Sequence, residues 1–267
     1  MFLEKNKMHD AKKKYGQNFL NNQGIINKIV DVIEPKGKKI LEIGPGLGAI
    51  TQLIANQAEK FIAFEIDPDM KNYLIENKIL QESQIQLQDF LDANLTSYSN
   101  YDVVGNIPYY ITSDIILKLL DHRYLFNSAI LMVQAEVADR LIAQPNQADY
   151  SKLSITTQYV ANVEKVFKVK KTQFTPQPKV DSAIVKLTFK KEQNDNFEQL
   201  KEFFKLCFLA RRKKLKFSLK QKYSNEQIEK AYQKMNFGEL VRIQELSLKQ
   251  IVDLYNCLNT MKENNVH

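Results

Sequence analysis

A short turn with an amide, a proline and two aromatic rings holds the residues best suited to chemistry. Gly105-Asn106-Ile107-Pro108-Tyr109-Tyr110 directly follows a run of apolar β-forming residues. The side-chain oxygen of Asn106 and the backbone carbonyl of Ile107 could accept hydrogen bonds from both N–H groups of a heteroaromatic amine, while Pro108 stiffens the turn. Tyr109 could stack on the ring that carries the amine. The turn therefore predicts methyl transfer to an exocyclic amine such as that of adenine, by positioning rather than by a strong base.

A glycine-rich loop lies about sixty residues earlier, in Leu41-Glu42-Ile43-Gly44-Pro45-Gly46-Leu47-Gly48-Ala49. Glycines between a strand and a helix let a ligand approach the backbone amides. Glu65 follows Gly44 by 21 residues, a spacing at which an acid commonly binds ribose hydroxyls. The loop and the acid predict an adenosine cofactor, and by themselves they favour a nicotinamide dehydrogenase and a methyltransferase equally. A dehydrogenase has no use for the turn at Asn106, and no acid or base for hydride transfer lies near the loop.

These residues must be positioned by alternating strands and helices, because β-rich and helical patterns alternate from Lys38 to about Val133. The predicted strands are 39–43, 61–66, 85–88, 101–104 and 129–133, and the predicted helices are 47–55, 68–77 and 113–120. Runs at 166–169 and 183–189 predict a hairpin-like pair at one sheet edge. The fold class is therefore α/β, a doubly wound, Rossmann-like sheet. Beyond a polar stretch near 190–196 the periodicity is helical, so we predict domains at 1–191 and 192–267.

Composition excludes several classes of protein. Hydrophobic residues at 44% and charged residues at 26% are typical of a packed globular chain. No apolar run approaches the roughly 20 residues of a membrane span, and the N-terminus lacks a leader pattern, so we expect no membrane association and a cytoplasmic location. Cys207 and Cys257 have no ligand spacing and are expected to be reduced core thiols, and no metal site is predicted.

Positive charge is concentrated in two places. The net charge is +7, and residues 191–267 hold 12 Lys and 3 Arg against 10 Asp and Glu. The stretch from Lys205 to Lys222 contains no acid. A polyanion would be attracted to such a run, although a solvated helix face would look the same. The candidate RNA-binding residues are Lys12, Lys13, Lys14, Arg211, Arg212, Lys213 and Lys214.

Several sequence blocks together resemble the rRNA adenine N6-dimethyltransferases almost from end to end. These blocks are 15–20, 42–51, 64–67, 88–89, 106–110, 132–140 and 174–182. The resemblance implies an S-adenosyl-L-methionine-dependent methyltransferase with a small C-terminal helical domain. It implies a cofactor site formed by Asn18, Leu20, Gly44, Gly46, Glu65, Ile66, Asp89, Phe90 and Asn106. Within that site, Glu65 would bind the ribose and Asp89 the adenine amino group. Phe174 would sandwich the target base opposite Tyr109, in a catalytic set with Asn106, Ile107 and Pro108.

The resemblance is greater to the branch that acts on the small ribosomal subunit, through blocks at 132–140, 150–154, 211–215 and 241–247. That branch dimethylates two adjacent adenosines near the 3′ end of 16S rRNA. The alternatives are the related 23S rRNA methyltransferases and a ribosome-assembly checkpoint factor in which methylation is secondary. Ser151 and Tyr110 depart from the family pattern, where glycine and asparagine are common, so we expect the local backbone at Ser151 and the pocket wall at Tyr110 to differ from those of other members. We expect a monomer that binds 16S rRNA within the small subunit.

Overall fold

The computed structural model describes residue 12, residues 15–191 and residues 196–263, with side chains described as far as residue 260. The chain divides into two compact units. The first unit comprises Met1–Ala138 and Glu164–Phe189, and the second comprises Asp139–Val163 and Lys190–His267.

A mixed sheet of seven strands forms the centre of the first unit. In chain order the strands are β1 (Phe19–Leu20), β2 (Lys39–Ile43), β3 (Lys60–Glu65), β4 (Ile85–Leu87), β5 (Tyr101–Asn106), β6 (Phe126–Gln134), β7 (Ala161–Val169), β8 (Phe174–Thr175) and β9 (Ser182–Phe189). The seven strands lie in the order β4-β3-β2-β5-β6-β9-β7. Strands β2 to β6 pair in parallel, and β9 pairs with β6 in antiparallel fashion. Strands β1 and β8 form a separate two-stranded ribbon.

Helices connect the parallel strands, as the alternating pattern predicts. A first helix, α1 (Gln23–Ile33), lies between β1 of the ribbon and β2, and the helices that connect parallel strands are α2 (Thr51–Ile54), α3 (Pro68–Glu76) and α4 (Thr112–Asp121). Pro68 begins α3 and the Asp67 side chain caps it by accepting from the backbone N–H of Asp69. The apolar faces of these helices cover strands whose central residues are almost fully buried, as a parallel sheet requires.

The predicted strands and the hairpin-like pair are confirmed, since β7 lies next to β9 at one sheet edge. The prediction of a helix at 47–55 is wrong in its bounds, because α2 covers only Thr51–Ile54. Gly48 has a positive φ of 77°, which a helix cannot accommodate, and so delays its start. The sequence analysis did not identify α1, although its apolar residues Ile26, Ile29 and Ile33 recur at helical spacing.

The second unit is helical and has its own core. The remaining helices are α5 (Ala135–Ile142), α6 (Lys152–Val160), α7 (Phe197–Cys207), α8 (Leu215–Leu219), α9 (Asn225–Met235) and α10 (Leu248–Glu263). Tyr150 and Ile155 are buried together with Phe203, Phe204 and Leu254. The division at 1–191 and 192–267 therefore departs from the structure for Asp139–Val163, because the apolar side chains of this segment share a core with the C-terminal helices.

Within the described ranges, no helix has the length and apolarity needed to cross a bilayer. The side chains described up to residue 260 also include no group of three or more His, Cys, Asp or Glu that could hold a metal ion.

Candidate active site

A cavity of about 650 Å³ opens in the first unit at the carboxyl ends of the parallel strands. Topology brings its lining together from distant parts of the chain, since β2, β3, β4 and β5 all end at this edge. The predicted residues that line the cavity are Asn18, Leu20, Gly44, Gly46, Glu65, Ile66, Asp89, Phe90, Asn106, Ile107, Pro108 and Tyr109. Every predicted cofactor residue is therefore among the lining residues, and so are four of the five predicted catalytic residues.

The glycine loop and Glu65 form one connected wall. Gly46 donates its backbone N–H to Oε2 of Glu65 at 3.1 Å. Ile66 and Asp67 donate theirs to Oε1, each at 2.9 Å. Burial raises the pKa of Glu65, although these three backbone donors oppose the shift. The contacts fix the carboxyl group at the end of β3, and Oε2, which accepts only the Gly46 bond among them, can still accept a further hydrogen bond.

Gly44 leaves the space that an adenosine-bearing group requires. Its φ is +66°, a conformation that residues with a side chain rarely adopt. A Cβ atom built on Gly44 meets nothing within 4 Å, so the backbone borders open cavity there. The loop therefore fits a ligand that approaches the main chain closely.

Asn106 is held in one orientation. Its side-chain Nδ2 donates to the backbone oxygen of Asn18 at 3.0 Å, so the side-chain oxygen is directed away from that contact. The backbone N–H of Ile107 donates to Met132 O at 3.1 Å and ties the turn to β6. Gly105 is required just before the turn, because a Cβ there would lie 2.9 Å from Ile43 O on β2. Close packing of β5 on β2 thus fixes where the amide stands.

Tyr109 and Tyr110 occupy different environments. The phenol of Tyr109 hydrogen-bonds Ser182 Oγ at 2.9 Å, and partial burial raises the pKa of this tyrosine. Tyr110 is 62% exposed. Thr112 Oγ1 donates to the backbone oxygen of Pro108 at 3.1 Å and secures the turn at the start of α4. Ser182 is fully buried and was not predicted as a site residue. Its signal in the sequence is a small polar residue that begins the apolar strand β9.

Phe174 lies in the core of the first unit. Its side chain is 4% exposed and belongs to the core cluster, and β8 pairs it with Leu20. The next two residues, Thr175 and Pro176, line the cavity instead. Phe174 is not among the residues that line the cavity, and its place opposite Tyr109 stays a prediction.

Lys12, one of the predicted RNA-binding residues, forms ion pairs within the protein, and its contact with RNA stays a prediction. Its Nζ lies 2.7 Å from Asp67 Oδ1 and 2.5 Å from Asp69 Oδ2. Gln17 accepts from the Lys12 backbone N–H and donates to the second oxygen of Asp67. Asp67 is fully buried, and although burial opposes it, these partners hold its pKa below the ordinary value. The contacts fasten residues 15–21, which form one wall of the cavity, to the start of α3.

Glu42 adds a buried acid to the cavity lining. Its side chain lies on β2 and is 3% exposed. Burial raises the pKa of Glu42 to about 8. Its Oε2 has no hydrogen-bond partner among the described residues. At neutral pH this carboxyl group is therefore largely protonated.

Asp89 and Phe90 lie at the far end of the cavity, after β4. Asp89 Oδ1 accepts from the backbone N–H of Leu91 at 2.8 Å. Phe90 packs edge-on against Phe64, with ring centroids 5.7 Å apart. These contacts fix a carboxylate beside an apolar surface, a combination suited to a flat heterocycle with an amino group.

Not all of the predicted cations in the second unit are available. Arg211 donates from Nη2 to the backbone oxygens of Gln147 and Ala148, at 3.2 Å and 2.6 Å. Its guanidinium thus holds the loop before α6, and its predicted RNA contact stays a prediction. Lys13 and Lys14 lie outside the described residues.

Arg212, Lys213 and Lys214 are exposed, in agreement with a role in binding a polyanion. Lys213 Nζ lies 4.0 Å from the ring centroid of Phe217, which is itself 48% exposed. An exposed ring beside cations can stack on a base while the cations attract phosphates. We call these four residues the basic surface.

Known proteins resemble this chain over nearly its whole length. The model of the family described as ribosomal RNA adenine dimethylase matches residues 8–260. Ribosomal RNA small subunit methyltransferase A of Mycoplasmopsis synoviae is 47% identical, over 96% of this chain and 99% of the relative. The protein of the same name from Mycoplasmopsis pulmonis is 43% identical, over 92% of this chain and 98% of the relative.

Solved structures agree with the sequence matches. A dimethyladenosine transferase from Plasmodium falciparum is 30% identical, with a TM-score of 0.76 over 91% of this chain and 98% of that chain. The 23S rRNA methyltransferase ErmE is 29% identical, with a TM-score of 0.70 over 91% and 100%. The fold is that of the Rossmann-like methyltransferases, followed by a helical C-terminal part. The chain belongs to the ribosomal RNA adenine dimethylase family.

Proposed function

We propose that this protein transfers methyl groups from S-adenosyl-L-methionine to N6 of two adjacent adenosines near the 3′ end of 16S rRNA, in the small ribosomal subunit. The observation that carries the proposal is the Asn106 amide, which Asn18 orients beside the glycine-loop cavity. The family match and the relatives named small subunit methyltransferase A support the same reaction and the same subunit.

The cofactor would be held by the residues that line the cavity. The open backbone at Gly44 leaves room for its methionine part, Glu65 would accept from the ribose hydroxyls, and Asp89 would accept from its adenine amino group. When bound, S-adenosyl-L-methionine supplies a methyl group on a sulfonium sulfur.

The target amine would be oriented by the turn at the end of β5. Asn106 Oδ1 and the Ile107 backbone oxygen would accept its two N–H bonds and localise its lone pair. Tyr109, anchored through Ser182, would stack on the base. Nearly all of the rate enhancement then comes from orientation and electrostatics, and no residue needs to be a strong base. Four transfers are needed for two dimethylated bases, so the site must admit both an amine and a methylamine.

The basic surface of the second unit would bind rRNA while the first unit performs the chemistry. Arg212, Lys213 and Lys214 are exposed cations, and neutralising phosphates releases counterions. We propose that the protein works as a monomer.

Labelled cofactor tests the proposal directly. The protein is incubated with radiolabelled S-adenosyl-L-methionine and either small or large ribosomal subunits that lack the modification, and the labelled nucleotides are mapped. Label on two adjacent adenosines of 16S rRNA is expected. Label on 23S rRNA alone, or no label on either subunit, would contradict it.

A catalytically inactive variant distinguishes a checkpoint role in subunit assembly from a role in methyl transfer alone. Asn106→Ala is added to immature small subunits, and binding and subunit joining are followed by sedimentation. A pure methyltransferase leaves joining unaffected, whereas a checkpoint factor that cannot methylate remains bound and stalls the subunits.

A further inference from the structure

Two consecutive tyrosines meet the cavity in different ways. Tyr109 is half-buried, and its phenol is fixed by Ser182. Tyr110 also lines the cavity, yet it is 62% exposed. One ring is therefore inside the site, and the next ring along the chain stands at its rim.

The Tyr110 ring lies close to the backbone of Gly16, where a side chain would be strained. A Cβ atom on Gly16 would lie 3.1 Å from Cε1 and 3.3 Å from Cδ1 of Tyr110, and 3.5 Å from Pro108 Cβ. Gly16 also has a φ of +61°. One edge of the ring thus packs against the wall formed by residues 15–21, while most of its surface faces solvent. A ring that is already supported loses little conformational freedom when something stacks on it.

The groups that support Tyr110 carry no charge. Gly16 lies against it, Pro108 lies beside the same glycine, and Ile111 follows it in the chain. A rim of this kind suits contact with the flat face of a base, which every nucleotide offers, better than hydrogen-bond recognition of one particular base.

We propose that Tyr110 is a second stacking platform, which takes the base of the nucleotide next to the target adenosine in single-stranded rRNA. The inference rests on the proposed function, because a target base in the cavity brings its covalent neighbour to the rim. Tyr109 and Tyr110 would then bind two consecutive nucleotides, each ring stacked on one base. The substrate would therefore be an unpaired strand in which the base next to the target adenosine can unstack from its own neighbours.

Short single-stranded oligoribonucleotides test this as competitive inhibitors of methyl transfer to unmethylated small subunits. One contains two adjacent adenosines, and two others carry an abasic nucleotide on the 5′ or the 3′ side of the first adenosine. Each is assayed with the wild-type protein, Tyr110→Leu and Tyr110→Phe. Tyr124→Leu is the matched control, since Tyr124 is 65% exposed in the same unit and does not line the cavity.

Removing the neighbouring base on one side is expected to raise the inhibition constant about tenfold for the wild-type protein. Tyr110→Leu should lose this dependence on the base, whereas Tyr110→Phe and Tyr124→Leu should keep it. An equal dependence in the wild-type protein and in Tyr110→Leu would overturn the inference, as would a lack of inhibition by any of the oligonucleotides.

Two further outcomes are distinct. If Tyr110→Leu methylates subunits more slowly but shows no loss of base dependence, the ring contacts a ribosomal protein and the inference is wrong. If the wild-type protein methylates no small subunits at all, the proposed function itself fails. Methylation by the wild-type protein without any effect of Tyr110 would remove only the second platform.

Discussion

The cavity of the first unit and the basic surface of the second unit differ in how their residues are fixed. Around the cavity, side chains are bound to backbone: Asn106 to Asn18, and Glu65 to Gly46. Next to the basic surface, Arg211 is hydrogen-bonded to a backbone oxygen, whereas Arg212 and Lys214 within that surface are exposed. The comparison indicates a pre-organised site for chemistry and an adaptable surface for attraction.

The largest effect is expected at the pre-organised site. Asn106→Ala removes the amide whose oxygen would accept from the target amine, so methyl transfer should fall by about 100-fold or more, as when one oriented hydrogen-bonding group is lost. Cofactor binding should weaken only slightly. Initial rates with labelled S-adenosyl-L-methionine and equilibrium binding of S-adenosylhomocysteine measure the two effects.

Asn127→Ala is the control for that experiment. Asn127 also donates to a backbone oxygen, that of Asn100, and it does not line the cavity. Normal turnover by Asn106→Ala would show that the turn is only structural.

Charge reversal tests the adaptable surface. Arg212→Glu combined with Lys213→Glu should weaken subunit binding about tenfold and lower the slope of log affinity against log salt by roughly 0.7 to 0.9 for each lost phosphate contact. Binding is measured by filter retention over a range of salt concentrations.

Arg211→Glu should behave differently and lower the thermal stability of the protein, because it breaks two hydrogen bonds to the loop before α6. Lys249→Glu makes the same charge change at an exposed residue elsewhere in the second unit. If Lys249→Glu reduces the salt slope as much as the double variant, attraction is spread over the whole unit.

A smaller effect is expected where a cation belongs to the cavity wall. Lys12→Met or Asp67→Asn should weaken S-adenosylhomocysteine binding roughly two- to fivefold, since the partly exposed ion pair fastens residues 15–21 and is screened by water. Isothermal titration calorimetry measures the affinity.

Lys71→Met is the control. Lys71 lies on the same helix α3, pairs with Glu82 beyond that helix, and does not line the cavity. Equal affinities in all three variants would mean that the wall needs no fastening. If Lys12→Met loses subunit binding but keeps cofactor binding, Lys12 contacts RNA as predicted from the sequence.

The smallest effect concerns Glu42. Its pKa in the folded protein is about 8, above that of an unfolded glutamate, so the folded state binds a proton that the unfolded state releases. Its contribution to stability is present below about pH 4.5 and is lost as the pH rises toward 8 and above. The unfolding temperature of Glu42→Gln should therefore fall less than that of the wild-type protein as the pH rises from 6 to 9.

Calorimetry over this pH range provides the measurement, with Glu76→Gln, at an exposed residue, as the control. Identical pH profiles for the wild-type protein and Glu42→Gln would contradict a protonated Glu42.

Sequence spacing predicted Gly44, Glu65 and Asn106 in the cavity lining for a physical reason, whereas Asp89 was implied by the family resemblance. A parallel sheet places the ends of its strands at one edge, so residues as distant as Gly44, Glu65, Asp89 and Asn106 converge once their strands are identified. The same reasoning could not place Phe174. Its side chain is buried in the core, and no local sequence pattern predicts the two-residue pairing of β8 with β1.

Charge counts predicted less. Lysine and arginine have the same formal charge whether they are exposed or bound within the fold, so the sequence could not separate Lys12 and Arg211 from Arg212. The segment Asp139–Val163 was assigned to the wrong unit for a similar reason, since helical periodicity reveals an apolar face but not which core receives it.

The Asn106–Asn18 hydrogen bond also explains why an amide, rather than a carboxylate, suits position 106. An amide carries a donor and an acceptor on one planar group, so a single side chain can brace the N-terminal wall and still offer oxygen to an incoming amine. Aspartate is nearly isosteric but would turn a second oxygen toward the Asn18 carbonyl, and mutual repulsion would loosen the brace. The proposed acceptor role of Asn106 and its hydrogen bond to Asn18 therefore depend on the same amide, so a change of its charge would alter both.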